Sequence, residues 1–331
     1  MKKFLLTLMA SASMAASAWA ADIKPAIIYD LGGKFDKSFN EAAYNGAEKF
    51  KADTGIEYRE FEIANDAQRE QALRKFAGDG NNPIVVAGFG WAAALEKIAP
   101  EYPDTKFAII DIVVSGQPNV KSIVFKEQEG SYLAGVMAAM AAKSGKVGFV
   151  GGMDIPLIHK FACGYVGGVK SVKADAEVLQ AYTGSDPSAW NDPVKGGEIT
   201  KSQISQGADV IYHAAGGTGV GVLQAAAEAG KLGIGVDSNQ NGLHPGKVLT
   251  SMLKRVDVAV YNAFNDVKDG KFVADIQDLG LKEEGVDVAI DDNNKPLLTP
   301  EMLAAVDKAK QDIVSGAVTV HDYMTDEKCP Y

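Results

Sequence analysis

Beyond residue 20 the sequence has no apolar run long enough to cross a bilayer, no low-complexity tract and no internal repeat of solenoid period. Histidine is scarce. His159, His213, His244 and His321 stand far apart, with no H-E-x-x-H and no Cys/His pairing at ligand spacing, so a zinc site finds no support. A G-x-S-x-G elbow is also missing, which argues against a serine hydrolase. Basic residues are in the minority: Lys and Arg number 33 against 43 Asp and Glu, a formal net charge of −10 that becomes −12 once Lys2 and Lys3 are removed. So acidic a chain argues against nucleic acid and anionic lipid as partners. Cysteine is limited to Cys163 and Cys329. In an oxidising compartment such a distant pair either forms a disulfide that pins the C-terminal tail or remains two unrelated thiols. The spacing alone does not give the Cα separation a bridge requires.

What is present begins with an export signal. Lys2 and Lys3 give a positive start, "FLLTLMASASMAASAW" is apolar and rich in small residues, and Ala18-Trp19-Ala20 supplies a small-x-small cleavage site. A transmembrane anchor fits less well, because the apolar core is short and rich in Ala and Ser. No Cys stands at the expected cut, so the mature chain is expected to start near Ala21, without a lipid, and to occupy a periplasm. About 311 of the 331 residues then remain, enough for two lobes of roughly 150 each.

Strand-like runs alternate with helical patterns. Strands are expected at 25–30, 57–62, 84–88, 106–111 and 120–125, and a second series at 146–151, 177–182, 208–213 and 233–237. The Val- and Ile-rich members are apolar almost throughout, as parallel strands covered on both faces are. Helical patterns fall at 39–53, 67–76, 91–99, 130–143, 196–206 and 219–229, with a strand and helix over 248–269, short strands over 272–290 and a helix over 299–315. This alternation implies α/β lobes with doubly wound open sheets. A chain that builds one lobe, then another, then returns has the layout of a clamshell with a cleft between two sheets.

In open α/β sheets a ligand sits beyond the carboxyl ends of the strands. The residues to weigh there are Asp30, Gly88 with Phe89, Gly90 and Trp91, Asp111, Gly151-Gly152, His213 to Gly217, and Asp237. A phosphate cradle uses Gly-rich backbone N–H groups with a Lys or Arg and avoids carboxylates. "DLGGKFD" (30–36) lacks G-x-G-x-x-G and puts acids in the way. "AAGGTGVG" (214–221) lacks that spacing and the P-loop Lys, and reads better as a tight strand-to-helix turn where only Gly fits. Ionised carboxylates only accept hydrogen bonds, so a ligand facing several must offer O–H or N–H donors. Phe39 supplies a face for stacking a flat ring, and Asn40 both donates and accepts. A neutral, ring-shaped polar molecule such as a nucleoside suits this set. Any single Asp could be a helix cap or turn residue; the coincidence of three at strand ends carries the functional reading. His213 is either a core residue or a ligand contact. Trp190 is either a cleft aromatic or a staple over the helix that Asp192-Pro193 opens.

These motifs resemble the basic membrane protein family of ABC-transporter substrate-binding proteins, the group that includes purine nucleoside receptor lipoproteins. The matching stretches are "DLGGKFDKSFNEAAYNG" (30–46), "VVAGFGWAAAL" (85–95), "FAIID" (107–111), "GSYLAGVMAA" (130–139), "GADVIYHAAGGTGVGVLQAA" (207–226), "IGVDSNQN" (234–241) and "VLTSMLKRVDVAVY" (248–261). The resemblance implies a type I periplasmic-binding-protein fold: two Rossmann-like lobes joined by hinge strands. The lobes are expected over 21–127 plus about 245–272 and over 128–244 plus about 273–331. It implies that Asp30, Asp111 and Asp237 bind a base and ribose hydroxyls, with Phe39, Asn40, Gly216, Gly217 and Lys254 beside them. No obvious Phe occupies the second lobe's stacking position, which leaves Trp190, Tyr212 and His213 as candidates. The implied protein is a monomeric receptor, not an enzyme, without cofactor or metal. It would close on a purine nucleoside or base and deliver it to an ABC permease. A sugar receptor of the same fold, and a secreted nucleoside hydrolase using the Asp cluster as a metal site, are the alternatives.

Overall fold

The computed structural model describes residues 23–331; the export signal expected over 1–20 lies outside them. The first sheet is built from β1 (Ala26–Tyr29), β2 (Arg59–Glu62), β3 (Ile84–Val86), β4 (Phe107–Ile110), β5 (Val120–Phe125) and β11 (Ile276–Leu279). Its order is β11-β5-β4-β3-β1-β2, and every pairing is parallel. The second sheet comprises β6 (Lys146–Met153), β7 (Glu177–Gly184), β8 (Val210–Ala214), β9 (Leu232–Asp237), β10 (Val248–Lys254) and β12 (Val286–Val288). It repeats the pattern as β12-β10-β9-β8-β6-β7, with β12 alone antiparallel.

Central strands lack alternation because both faces are covered: Ile27, Ile28, Val85, Val86, Ile109 and Ile110 are all fully buried. In the first lobe α1 (Phe39–Thr54) and α8 (Val256–Lys268) pack together on one side, and α2 (Arg69–Gly78) and α3 (Ala92–Ile98) on the other. In the second, α4 (Glu127–Ala141), α5 (Pro156–Val172) and α9 (Pro300–Val314) form one layer, and α6 (Pro193–Ser205) and α7 (Thr218–Glu228) the opposite one.

The helix α5 was not anticipated. "PLIHKFACGYVGGVKSV" is rich in Gly and β-branched residues, which lowers helix propensity. Tertiary packing overrides it. A Cβ on Gly135 of α4 would overlap the Tyr165 carbonyl, and one on Gly168 of α5 would overlap the Tyr132 carbonyl. The glycines let the two helix backbones touch, and that contact holds α5 in place. Cys163 on α5 is disulfide-bonded to Cys329 with a Cα separation of 5.5 Å, so the C-terminal tail is tied to this helix.

The chain passes between sheets after Phe125, after Lys254 and after Leu279. This corrects the expected lobe boundaries. Residues 245–272 do not return whole to the first lobe: β10 runs parallel to β9 in the second sheet, and only from α8 onward does the chain rejoin the first. Conversely, β11 lies in the first sheet although 273–331 were expected in the second lobe. Apolar periodicity identifies a strand but says nothing about which sheet edge will accept it.

Candidate functional site in the interlobe cleft

The order of each sheet reverses beside its first strand, and such switch points form crevices at the carboxyl ends of the strands. In the first lobe the crevice lies between the ends of β1 and β3, at Asp30 and Gly88. In the second it lies between β6 and β8, at Gly152 and Ala214 to Gly216. The two crevices face one another. Their shared cleft is lined by Asp30, Phe39, Asn40, Gly88 and Asp111 from the first lobe and by Trp190, Gly216, Asp237 and Lys254 from the second. It is a slot with about 590 Å³ free of atoms, part of it open to solvent. The lobes also touch directly. Gln240 Nε2 donates to the Lys37 carbonyl (2.9 Å), Ser238 Oγ to the Ser38 carbonyl (2.8 Å) and Ser38 Oγ to the Asp237 carboxylate (2.5 Å).

Each carboxylate is held by its element. Asp30 follows β1, and its carboxylate accepts from Leu31 N–H (2.8 Å) and from Arg69 Nη2 (2.6 Å). Gly88 must lack a side chain, because a Cβ there would overlap the Asp30 carboxylate and its φ is +102°. Asp111 and Asp237 follow β4 and end β9 with φ of 78° and 62°. Left-handed backbone at a non-glycine residue costs about 1–3 kcal/mol and persists where surrounding structure imposes it. It aims both carboxyls into the slot. Lys254 ends β10 and reaches Asp111 (2.6 Å) and Glu127 (3.0 Å); Lys160 on α5 meets Glu127 from the other side (3.0 Å). This buried charge chain lies where the strands cross between lobes.

Burial pushes the Asp111 carboxyl up to about 6, against the pull of Lys254. Burial likewise raises Asp30, opposed by Arg69, and Asp237, opposed by Lys254. For Lys254 burial works against the charge, but Asp111, Glu127 and Asp237 outweigh it and hold the ammonium above its ordinary range.

Not every anticipated residue serves the cleft as expected. His213 is fully buried away from it, with Nε2 on Gln240 Oε1 (2.9 Å) and its pKa lowered to about 4 by burial. Gly219 packs against its ring, so it is a core histidine. Tyr212 is buried with its hydroxyl on Ser131 (3.1 Å). Of the three aromatic candidates in the second lobe, Trp190 alone lines the cleft, its ring lying over Gly152. Gly217 lies outside the slot, on a separate groove at its mouth. Asn40 lines the cleft, but its amide secures the preceding loop: Oδ1 accepts from Asp30 N–H (3.1 Å), and Nδ2 donates to the Asp30 and Gly33 carbonyls (3.3 Å each).

Sequence reasoning gave no binding role to Leu31 or Asp36, weighed Phe89 only as a neighbour of Gly88, and missed Leu157, Ile158 and Phe161 on α5. Asp36 caps α1 by accepting from the N–H groups of Ser38, Asn40 and Glu41 (2.8, 3.0 and 3.1 Å), and burial pushes its carboxyl up to about 7. It stood in a motif already singled out. The α5 residues were out of reach once their helix was unrecognised.

The profile of the Bmp family, described as ABC transporter substrate-binding protein PnrA-like, matches residues 24–323. The chain belongs to this family. It is 37% identical over 323 residues to the ABC transporter nucleoside-binding protein BmpA of Lactococcus lactis, covering 90% of this chain and 89% of that one. It is 38% identical over 282 residues to an uncharacterised lipoprotein of Pyrococcus abyssi, covering 81% and 69%. Among solved structures it is similar to an ABC transporter solute-binding protein from Aeropyrum pernix, with a TM-score of 0.84 and 31% identity over 92% of this chain and 95% of that one. The Bmp protein is thus an extracytoplasmic substrate-binding component of an ABC transporter, with the periplasmic-binding fold. The name of the Pyrococcus relative sets it apart from the lipid-free form expected here. Among the described residues no helix is long and apolar enough to cross a membrane.

Proposed function

We propose that this Bmp-family protein captures a purine nucleoside or purine base in the interlobe cleft, as a monomer, and presents the closed form to its permease in the periplasm. The observation that carries this is the convergence of acids and rings from both lobes on one slot. Asp30, Asp111 and Asp237 are acceptors, while Phe39 from one lobe and Trp190 and Phe161 from the other provide flat faces. A purine fits that chemistry: a planar ring with N–H donors on its edge and, in a nucleoside, ribose hydroxyls. The name of the Lactococcus relative supports the same ligand class. A hydrogen bond to a carboxylate contributes about 1.5–3 kcal/mol and a stacked face about 0.5–1.5 kcal/mol. A few of each suffice for micromolar to nanomolar binding after the costs of association.

Closure follows from the same geometry. Ligand held by Asp30 and Phe39 on the first lobe gains Asp237 and Trp190 when the second swings in, so it binds the closed state better and shifts the population toward it. Native mass spectrometry of the exported protein tests the reading: a co-purifying purine or purine nucleoside is expected, and a co-purifying sugar would overturn it.

A further inference from the structure

One cation beside the cleft has no part in the family motifs quoted above. Arg69 is the first residue of α2, and its side chain is only 8% exposed. Nη2 donates to Asp30 Oδ1 (2.6 Å) and to Asp66 Oδ1 (2.8 Å), and Nε donates to the same Asp66 oxygen (3.0 Å). The guanidinium lies over the fully buried Trp91 ring, 4.8 Å from its centroid. Gly90 supplies the room, since a Cβ there would stand 2.6 Å from Nη2. Asp66 is exposed and Asp30 lines the cleft, so the guanidinium links the surface to one wall of the site.

We propose that Arg69 is a positioning and specificity-determining residue: it fixes Asp30 as a pure hydrogen-bond acceptor, so that the cleft selects ligands presenting an N–H or O–H donor there. The inference rests on the cleft being the ligand site. The physical argument is a competition. Asp30 is wedged against Gly88 in a slot that already holds Asp36, Asp111 and Asp237, and burial among acids favours the neutral carboxyl. A protonated Asp30 would offer a donor and accept poorly. The charges facing it are Arg69 and Asp66 from the α2 side; the cleft's own Lys254 is paired with Asp111 and Glu127. Arg69 is therefore the cation that holds Asp30 ionised. A guanidinium suits the post because it cannot lose its proton and can stack on Trp91 while donating in its plane.

The test compares wild type, Arg69→Met and Arg69→Lys by calorimetry with inosine, guanosine, adenosine and ribose between about pH 5.5 and 8.5. Circular dichroism checks that each variant is folded. Arg69→Met is expected to weaken binding of the preferred ligand at least tenfold at neutral pH. Its affinity should recover toward high pH, where Asp30 ionises unaided, so that its pH profile is displaced upward from that of wild type. Arg69→Lys, which keeps the charge, should restore the wild-type pH profile even if affinity stays reduced. Should Arg69→Met not fold, an Arg69→Lys profile displaced upward from wild type would overturn the proposal. So would an Arg69→Met loss that is equal at every pH, or no loss. If wild type prefers ribose to every purine, the ligand assignment fails, and the same comparison with ribose still decides the role of Arg69.

Discussion

Asp237 shows what a single residue contributes. Its positive φ turns the carboxyl into the slot, where it meets Ser38 of the opposite lobe. Replacing Asp237 by Ala is expected to weaken nucleoside binding at least tenfold, about 1.4 kcal/mol, while the far-ultraviolet spectrum stays unchanged. Unaltered affinity by calorimetry would remove Asp237 from the site. Much of the cleft was legible at this scale, because a carboxylate at the end of an apolar run is a local signal. Asp30, Asp111 and Asp237 stand together for that reason. His213 carried the same signal, a polar residue at a strand end, but points into the core. One strand's sequence cannot say on which side of the sheet a polar side chain will find its partner, here Gln240. Arg69 lay outside every loop considered, and only the fold brings α2 against the end of β1.

At the scale of elements, the pairing of α4 with α5 decides much of the second lobe. Gly168→Val would press a branched side chain into the Tyr132 backbone and is expected to lower stability by at least about 2 kcal/mol. Chemical denaturation measures this, and a change under about 0.5 kcal/mol would contradict the packing argument. The tail gives a second check. The Cys163–Cys329 bridge closes a sequence separation of 166 residues, and Cys329→Ser is expected to cost about 2–4 kcal/mol without abolishing ligand binding. Doubly wound strands and most helices were readable from periodicity. The helix α5 was not, because its glycines serve a contact with α4 that no local pattern records. The destination of β10 was equally hidden, since sheet membership is a long-range choice.

At the scale of the whole molecule, closure and charge are linked. Burial raises the carboxyls of Asp30, Asp36, Asp111 and Asp237 above their ordinary values, Asp111 to about 6 and Asp36 to about 7. Unfolded, such groups titrate near their ordinary value of about 4. Between those limits the folded form binds more protons than the unfolded one, so these acids favour folding at low pH and lose that contribution as pH rises through about 6 to 7. A ligand that donates hydrogen bonds prefers the ionised acids and has the opposite dependence. The rise in melting temperature on adding ligand is therefore expected to grow from about pH 5.5 to about pH 8. A ligand-induced shift that does not vary with pH would count against carboxylate recognition.

The most direct test of the central claim is isothermal titration calorimetry of the ligand-stripped mature protein against adenosine, guanosine, inosine, adenine and ribose. One-to-one binding of at least one purine, in the micromolar range or tighter and well ahead of ribose, is the predicted result. Ribose binding more tightly than every purine, or no purine binding at all, would contradict a cleft of acids and rings built for a donor-bearing flat ring.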